Sequence, residues 1–311
     1  EYLPTEIITN FTKETGIKVN YSTFDSNEAM YTKVKLLKGK GYDLVVPSTY
    51  YVSLMAEDDL LMPLDKTKIS AFSDLDSSIM NQDFDKENQY SVPYMWGSTG
   101  LGYNAELIDG KEVTHWTSLW NEEFADQIIL TNDVRDVFGM ALKLLGYSVN
   151  STNPQEIKAA YEKLKTLHPA VVVYNSDAPH IPLLSGEVSV GMQWNGSNYR
   201  AQLENPNIHY VYPSEGALFW MDNLVIPKGS ENADAAYAFI NYLYQPENQA
   251  ILVKEIGYAA PNLKLMDHLP AQLRESTTIF PTKEDKEKGE FLGSVGDARE
   301  LYEKYWLELK Q

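Results

Sequence analysis

With 311 residues, 43% of them apolar and 23% charged, the chain has the make-up of a globular protein long enough for more than one core. Its 44 acidic residues against 26 basic ones give a net charge of −18, which argues against nucleic-acid binding and favours cationic partners. Cysteine is absent, which excludes disulfides, thiolate catalysis and cysteine-ligated zinc, and no apolar run reaches the ~20 residues of a membrane helix.

The chain opens at Glu1-Tyr2 directly on a helical pattern, so a removed signal peptide and a missing first strand are both expected. The spacing predicts a helix over 6–15, stopped at Gly16, and a strand over 17–21. A helix over 27–38 ends at Gly39 and leads into an apolar strand over 43–46, then a helix over 51–57. Short strands at 91–94 and 100–103 flank Gly97. A helix opens at 116–120, a strand covers 128–130, and a helix over 133–145 ends at Gly146. Asn153 and Pro154 supply a cap and a first-turn proline for a helix over 154–167. Strands follow at 171–174, 188–192 and 208–212, then helices at 233–243 and 246–254, and the lysine-rich acidic tail over 283–311 reads as helical.

Strands alternating with helices imply an α/β fold on largely parallel sheets. No linker rich in Pro, Gly or Ser separates two halves, so two domains are expected to share the chain through more than one crossing. Ligands of open α/β sheets bind beyond the carboxyl ends of strands. Tyr50, Trp194 and Asp133 all stand at such ends.

The run Phe219-Trp220-Met221-Asp222 sets an aromatic face beside a carboxylate, just before the apolar run Leu224-Val225-Ile226. In a strand, Trp220 and Asp222 share one side, because residues two apart do. Asp133 and Asp136 share one face of a helix start, where the helix dipole also accommodates plain N-terminal capping. Aromatics and acids gathered at strand ends point to a pocket for an organic polycation, with rings for alkyl segments and carboxylates for ammonium groups. Nothing marks either member of the acidic pair as a proton donor, so a glycoside hydrolase with a carboxylate pair is the weaker alternative. The five histidines lack metal-ligand spacing and Ser48 has no adjacent base, so neither a metal, a cofactor nor covalent catalysis is expected.

Four segments, Phe11-Thr12-Lys13-Glu14-Thr15-Gly16-Ile17-Lys18-Val19, Tyr42-Asp43-Leu44-Val45-Val46-Pro47-Ser48-Thr49-Tyr50-Tyr51, Trp194-Asn195-Gly196-Ser197 and Phe219-Trp220-Met221-Asp222, together resemble the spermidine/putrescine-binding proteins of bacterial polyamine ABC importers. The resemblance runs the length of the chain. It implies a type II periplasmic binding protein, with two α/β domains, each a mostly parallel sheet flanked by helices, and a ligand cleft between them that closes on the polyamine. The expected lobes are 1–96 with 224–260 and 97–223 with 261–311, crossing near 97, 223–227 and 258–265. It also implies a monomer in the periplasm, or lipid-anchored outside the cytoplasmic membrane, that delivers spermidine or putrescine to a membrane permease. A sensor of the same fold, signalling through a membrane protein, is the alternative.

By position the resemblance implies ligand contacts from Glu1, Tyr2, Ser48, Tyr50, Asp133, Asp136, Trp194, Trp220, Asp222, Tyr258 and Leu292. Asp136 stands where the family usually has Glu, and Leu292 where Gln is expected. Both departures are expected to narrow the preference for spermidine over putrescine.

Overall fold

The computed structural model describes residues 2–24, 26–108 and 113–311. In chain order its elements are α1 (Thr5–Thr15), α2 (Asn27–Leu36), α3 (Thr49–Glu57), β1 (Ser91–Asn104), β2 (Ile128–Leu130), α4 (Val134–Leu144), α5 (Pro154–Leu167), β3 (Val171–Tyr174), α6 (Ile181–Ser185) and β4 (Val190–Trp194). They continue with α7 (Asn195–Glu204), β5 (Ile208–Val211), β6 (Leu218–Val225), α8 (Ala233–Leu243), α9 (Pro246–Ile256), α10 (Ala271–Arg274), α11 (Lys283–Lys288), β7 (Glu290–Phe291) and α12 (Arg299–Leu309).

By internal packing the chain divides into two units, Glu1–Trp96 with Met221–Glu275, and Gly97–Trp220 with Ser276–Gln311. The first division falls inside β1 and the second inside β6. Segment 261–275 stays with the first unit, beyond the expected crossing at 258–265. Asp76 N–H donates to Pro261 O at 2.8 Å, and the Asn262 amide donates to Tyr244 O at 2.8 Å.

In the first unit α1 buries Ile7 and Phe11, one turn apart, and the Phe11 ring meets Phe239 of α8 edge-on at 4.8 Å. Ser26 caps α2 by accepting from Ala29 N–H, and the helix turns Met30 and Val34 into a core shared with Tyr51, Val52 and Met55 of α3. Two expected strands are absent here. Residues 17–21 form no strand, since Lys18, Asn20 and Tyr21 are exposed and no ladder partner lies among the described residues. The apolar run 43–46 is reduced to one bridge, with Val45 exchanging backbone hydrogen bonds with Val225 at 3.0 Å in each direction.

The second unit holds a mixed sheet. β2 runs parallel to both β3 and β4, β7 runs parallel to β6, and β1 runs antiparallel to β4 and β5. β4 lies close against β2 at Gly191, where a Cβ would sit 2.0 Å from Ile129 O, so only glycine fits. α4 is buried almost all round, with Val137, Phe138, Met140 and Ala141 inside. It packs with Ile157, Ala160, Leu164 and Leu167 of α5, and with Tyr302 of α12, in the main core. Three further expectations change. The strands at 91–94 and 100–103 are one continuous strand through Gly97, residues 116–120 form a 3-10 helix, and β7 interrupts the helical tail between α11 and α12.

Candidate functional site

In the first unit the sequence leaves Asp222 on β6 facing the turn into α3. Ser48 sits just before α3 and bridges Asp222 in antiparallel register, so the two side chains meet. The Ser48 hydroxyl donates to Asp222 Oδ1 at 2.6 Å, and the Tyr2 hydroxyl donates to Oδ2 at 2.6 Å. Asn27 holds Ser48 from both sides, donating to its Oγ and accepting from its N–H, each at 3.0 Å. Tyr94 donates to Tyr2 O at 2.7 Å, and its ring stands perpendicular to that of Tyr2 at 5.3 Å. Tyr258 completes the aromatic wall at 6.3 Å from the Tyr2 ring, fixed by the backbone pairing of Trp96 with Ala259. Burial raises the Asp222 carboxyl above the usual carboxylate range, and the Ser48 and Tyr2 hydroxyls partly offset this. Burial likewise pushes the Tyr2 phenol well up, reinforced by the charge of Asp222.

In the second unit α4 starts where β2 ends. Asp133 is its cap, accepting from the N–H groups of Arg135 at 2.8 Å and Asp136 at 3.0 Å, which is the plain capping role. Asp136, 3% exposed, points to the strands. Thr99 and Trp194 are directly opposed on β1 and β4, so their side chains leave one face of the sheet as neighbours. Both reach Asp136: Thr99 Oγ1 donates to Oδ1 at 2.9 Å and Trp194 Nε1 donates to Oδ2 at 2.8 Å. Burial, and then the charge of Asp133, push the Asp136 carboxyl up to about 7, against the donors Trp194, Thr99 and Thr131. The Trp220 ring meets that of Trp194 at 6.5 Å and 70°, lying over Gly97, where a Cβ would stand 2.6 Å from the indole.

Arg135, next in sequence to Asp136, turns away from it. Its guanidinium donates to Gly293 O at 2.8 Å, Val149 O at 3.3 Å and Asn150 Oδ1 at 2.9 Å, and lies over the Tyr302 ring.

Of the residues singled out in the sequence, the first unit brings together Tyr2, Ser48, Asp222 and Tyr258, and the second brings together Asp133, Asp136, Trp194 and Trp220. Tyr50 is half-buried and stacks at a tilt on Tyr51, 5.0 Å away. Leu292 is 4% exposed and lies in the main core of the second unit with Leu218, its methyl close to Gly139. Glu1 lies outside the described residues. Asn27, Tyr94 and Thr99 were not singled out in the sequence. Thr99 becomes visible only once β1 and β4 are set in register, and Asn27 only once Ser48 is beside it. Among the described residues no group of three or more His, Asp or Glu could hold a metal ion. No helix there is long and apolar enough to cross a membrane.

Bacterial extracellular solute-binding proteins, as a family, match residues 6–280. The spermidine/putrescine-binding periplasmic protein of Salmonella typhimurium is 46% identical over 310 residues, covering 100% of this chain and 89% of the relative. A putrescine-binding periplasmic protein of Escherichia coli K12 is 30% identical over 308 residues, covering 93% of this chain and 83% of the relative. Among solved structures, a spermidine/putrescine ABC transporter protein from Listeria monocytogenes superposes with a TM-score of 0.93 at 38% identity, covering 100% of this chain and 96% of the other.

Proposed function

This chain belongs to the bacterial extracellular solute-binding proteins, and on that premise we propose that it captures polyamines outside the cytoplasmic membrane and hands them to an ABC permease. One observation carries the reading. Asp222 and Asp136 are carboxylates whose oxygens accept only from neutral donors, and among the described residues neither has a cationic partner. An unpaired anion in a dry setting costs several kcal/mol, so both are built for a cation that comes from outside. Each Asp222 oxygen keeps a lone pair for an ammonium N–H, and Asp136, with Thr131 as a third donor, keeps one on one of its oxygens.

The rings beside them select what the cation is attached to. Tyr2, Tyr94 and Tyr258 flank Asp222, and Trp194 and Trp220 flank Asp136. Methylene segments lie well on such flat faces, and an ammonium gains further from the ring quadrupole. A polyamine, with ammonium groups spaced by methylenes, satisfies both demands. A sugar, with no positive charge, would leave either carboxylate unpaired. None of these side chains has covalent chemistry to perform in this role.

Calorimetry with single variants tests the assignment. Asp222→Asn removes one partner of a buried charge pair, so spermidine affinity should fall by roughly 30-fold or more, about 2–5 kcal/mol. Trp220→Phe should cost less, because a cation–π contact is worth about 0.5–2 kcal/mol. A loss of less than about threefold in Asp222→Asn would remove Asp222 from the ligand contacts.

A further inference from the structure

We infer that polyamine binding expels a proton from Asp136, so that this protein binds its ligand more tightly as pH rises from about 5.5 to 7.5. The inference rests on the polyamine reading above and deepens it, because it assigns the empty site a different charge from the occupied one.

The geometry around Asp136 accepts a neutral acid as readily as an anion. Trp194 Nε1 can only donate, so the oxygen it meets, Oδ2, is an acceptor in both states. The Thr99 hydroxyl can rotate. It donates to Oδ1 when the carboxylate is ionised and accepts the carboxyl proton when it is not, at the same 2.9 Å separation. A lysine or arginine in place of Thr99 would have fixed the anion permanently.

The charges that face Asp136 favour the neutral form. Asp133 lies one turn back at the cap of the same helix and adds a like charge. Arg135 is committed to Gly293, Val149 and Asn150 and is directed away. The strand ends packed against α4 present Thr131 from β2, Thr99 from β1 and Trp194 from β4, none of which titrates in this range. Burial and Asp133 together leave the empty site half protonated near pH 7. An arriving ammonium reverses the balance by placing a positive charge against Oδ1 and Oδ2. The ammonium keeps its own protons, since amines of this type titrate near 10. The carboxyl proton therefore leaves for the bulk buffer.

The test is spermidine calorimetry on the whole chain near pH 6 and near pH 7.5, each in buffers of small and large ionisation enthalpy. Wild type should release close to one proton near pH 6 and a minor fraction of one near pH 7.5, with apparent affinity changing by nearly tenfold per pH unit at the acid end. Thr99→Val removes a donor that favours the anion, so its release profile should move to higher pH while the protein still binds. Asp136→Asn should bind more weakly and lose this release, which separates Asp136 from Asp222 as the source. Heats that do not depend on the buffer at either pH would overturn the inference, as would release that persists in Asp136→Asn. Absence of spermidine binding at every pH would instead contradict the polyamine reading.

Discussion

Asp222 and Asp136 lie in different units yet are built alike, each held by aliphatic hydroxyls and a donor from an aromatic side chain, with no cationic partner among the described residues. Such a group destabilises the empty fold in a pH-dependent way. An unfolded aspartate loses its proton near pH 4, whereas folded Asp136 holds its proton up to about 7. Between these values the folded state binds more protons than the unfolded one, so this group makes the ligand-free protein less stable as pH rises, until the penalty levels off above about pH 7. Asp136→Asn removes the penalty and keeps the contacts, with its oxygen accepting from Trp194 and its amide donating to Thr99. At pH 8 the ligand-free variant should melt above wild type, by about 2–4 °C per ~1 kcal/mol relieved, and at pH 5 the gap should be clearly smaller. Thermal melts at the two pH values check this, and an equal or lower melting temperature at pH 8 would contradict it. The alternation of half-buried Trp220 and Asp222 about buried Met221 was legible because strand alternation is a local rule. The partnership of Asp136 with Thr99 was not, because it depends on strand register between β1 and β4, which no local pattern contains.

At the scale of elements, two strands do most of the positioning. β1 passes without a break from Ser91 to Asn104, and its opposed pair of Thr99 with Trp194 creates the socket for Asp136. Gly97 in the same strand leaves room for the Trp220 indole and for Asn195, which accepts from Ser98 N–H at 3.0 Å. A methyl group there would lie 2.6 Å from the ring and 2.7 Å from Asn195 Oδ1, closer than real Cβ contacts come. Gly97→Ala should therefore displace the indole, shift tryptophan fluorescence and weaken spermidine binding by about tenfold, roughly one stacked-ring contact. Unchanged fluorescence and affinity would show that Trp220 does not depend on this packing. Helices with their signals inside the segment, such as the Asn153 cap of α5, read well from the sequence, whereas α6, α7 and α10 did not read. Strand pairing read less well. The run 43–46 is apolar enough for a strand, yet only Val45 finds a partner. Leu292 shows the same limit, because its place in the core beside Leu218 follows from β7 pairing with β6.

For the molecule as a whole, the fold is the two-domain α/β fold of the periplasmic binding proteins, as the solved relatives have it. Alternation of helices and strands was sufficient to expect that class, while the division into two units follows from packing. The boundaries depend on contacts such as Asn262 with Tyr244, distant in sequence, and so were not legible in detail. The net charge of −18 acts over the whole surface, drawing polycations in at long range while salt screens the attraction. The central claim is that two uncompensated carboxylates define the ligand as a polyamine. Titration calorimetry with spermidine, putrescine and the uncharged analogue 1,4-butanediol, at one low salt concentration and pH 7.5, tests it most directly. Both amines should bind at micromolar concentration or below, with affinity falling as salt is added, and the diol should give no binding heat. Equal binding of diol and putrescine, or no binding of either amine, would contradict the account.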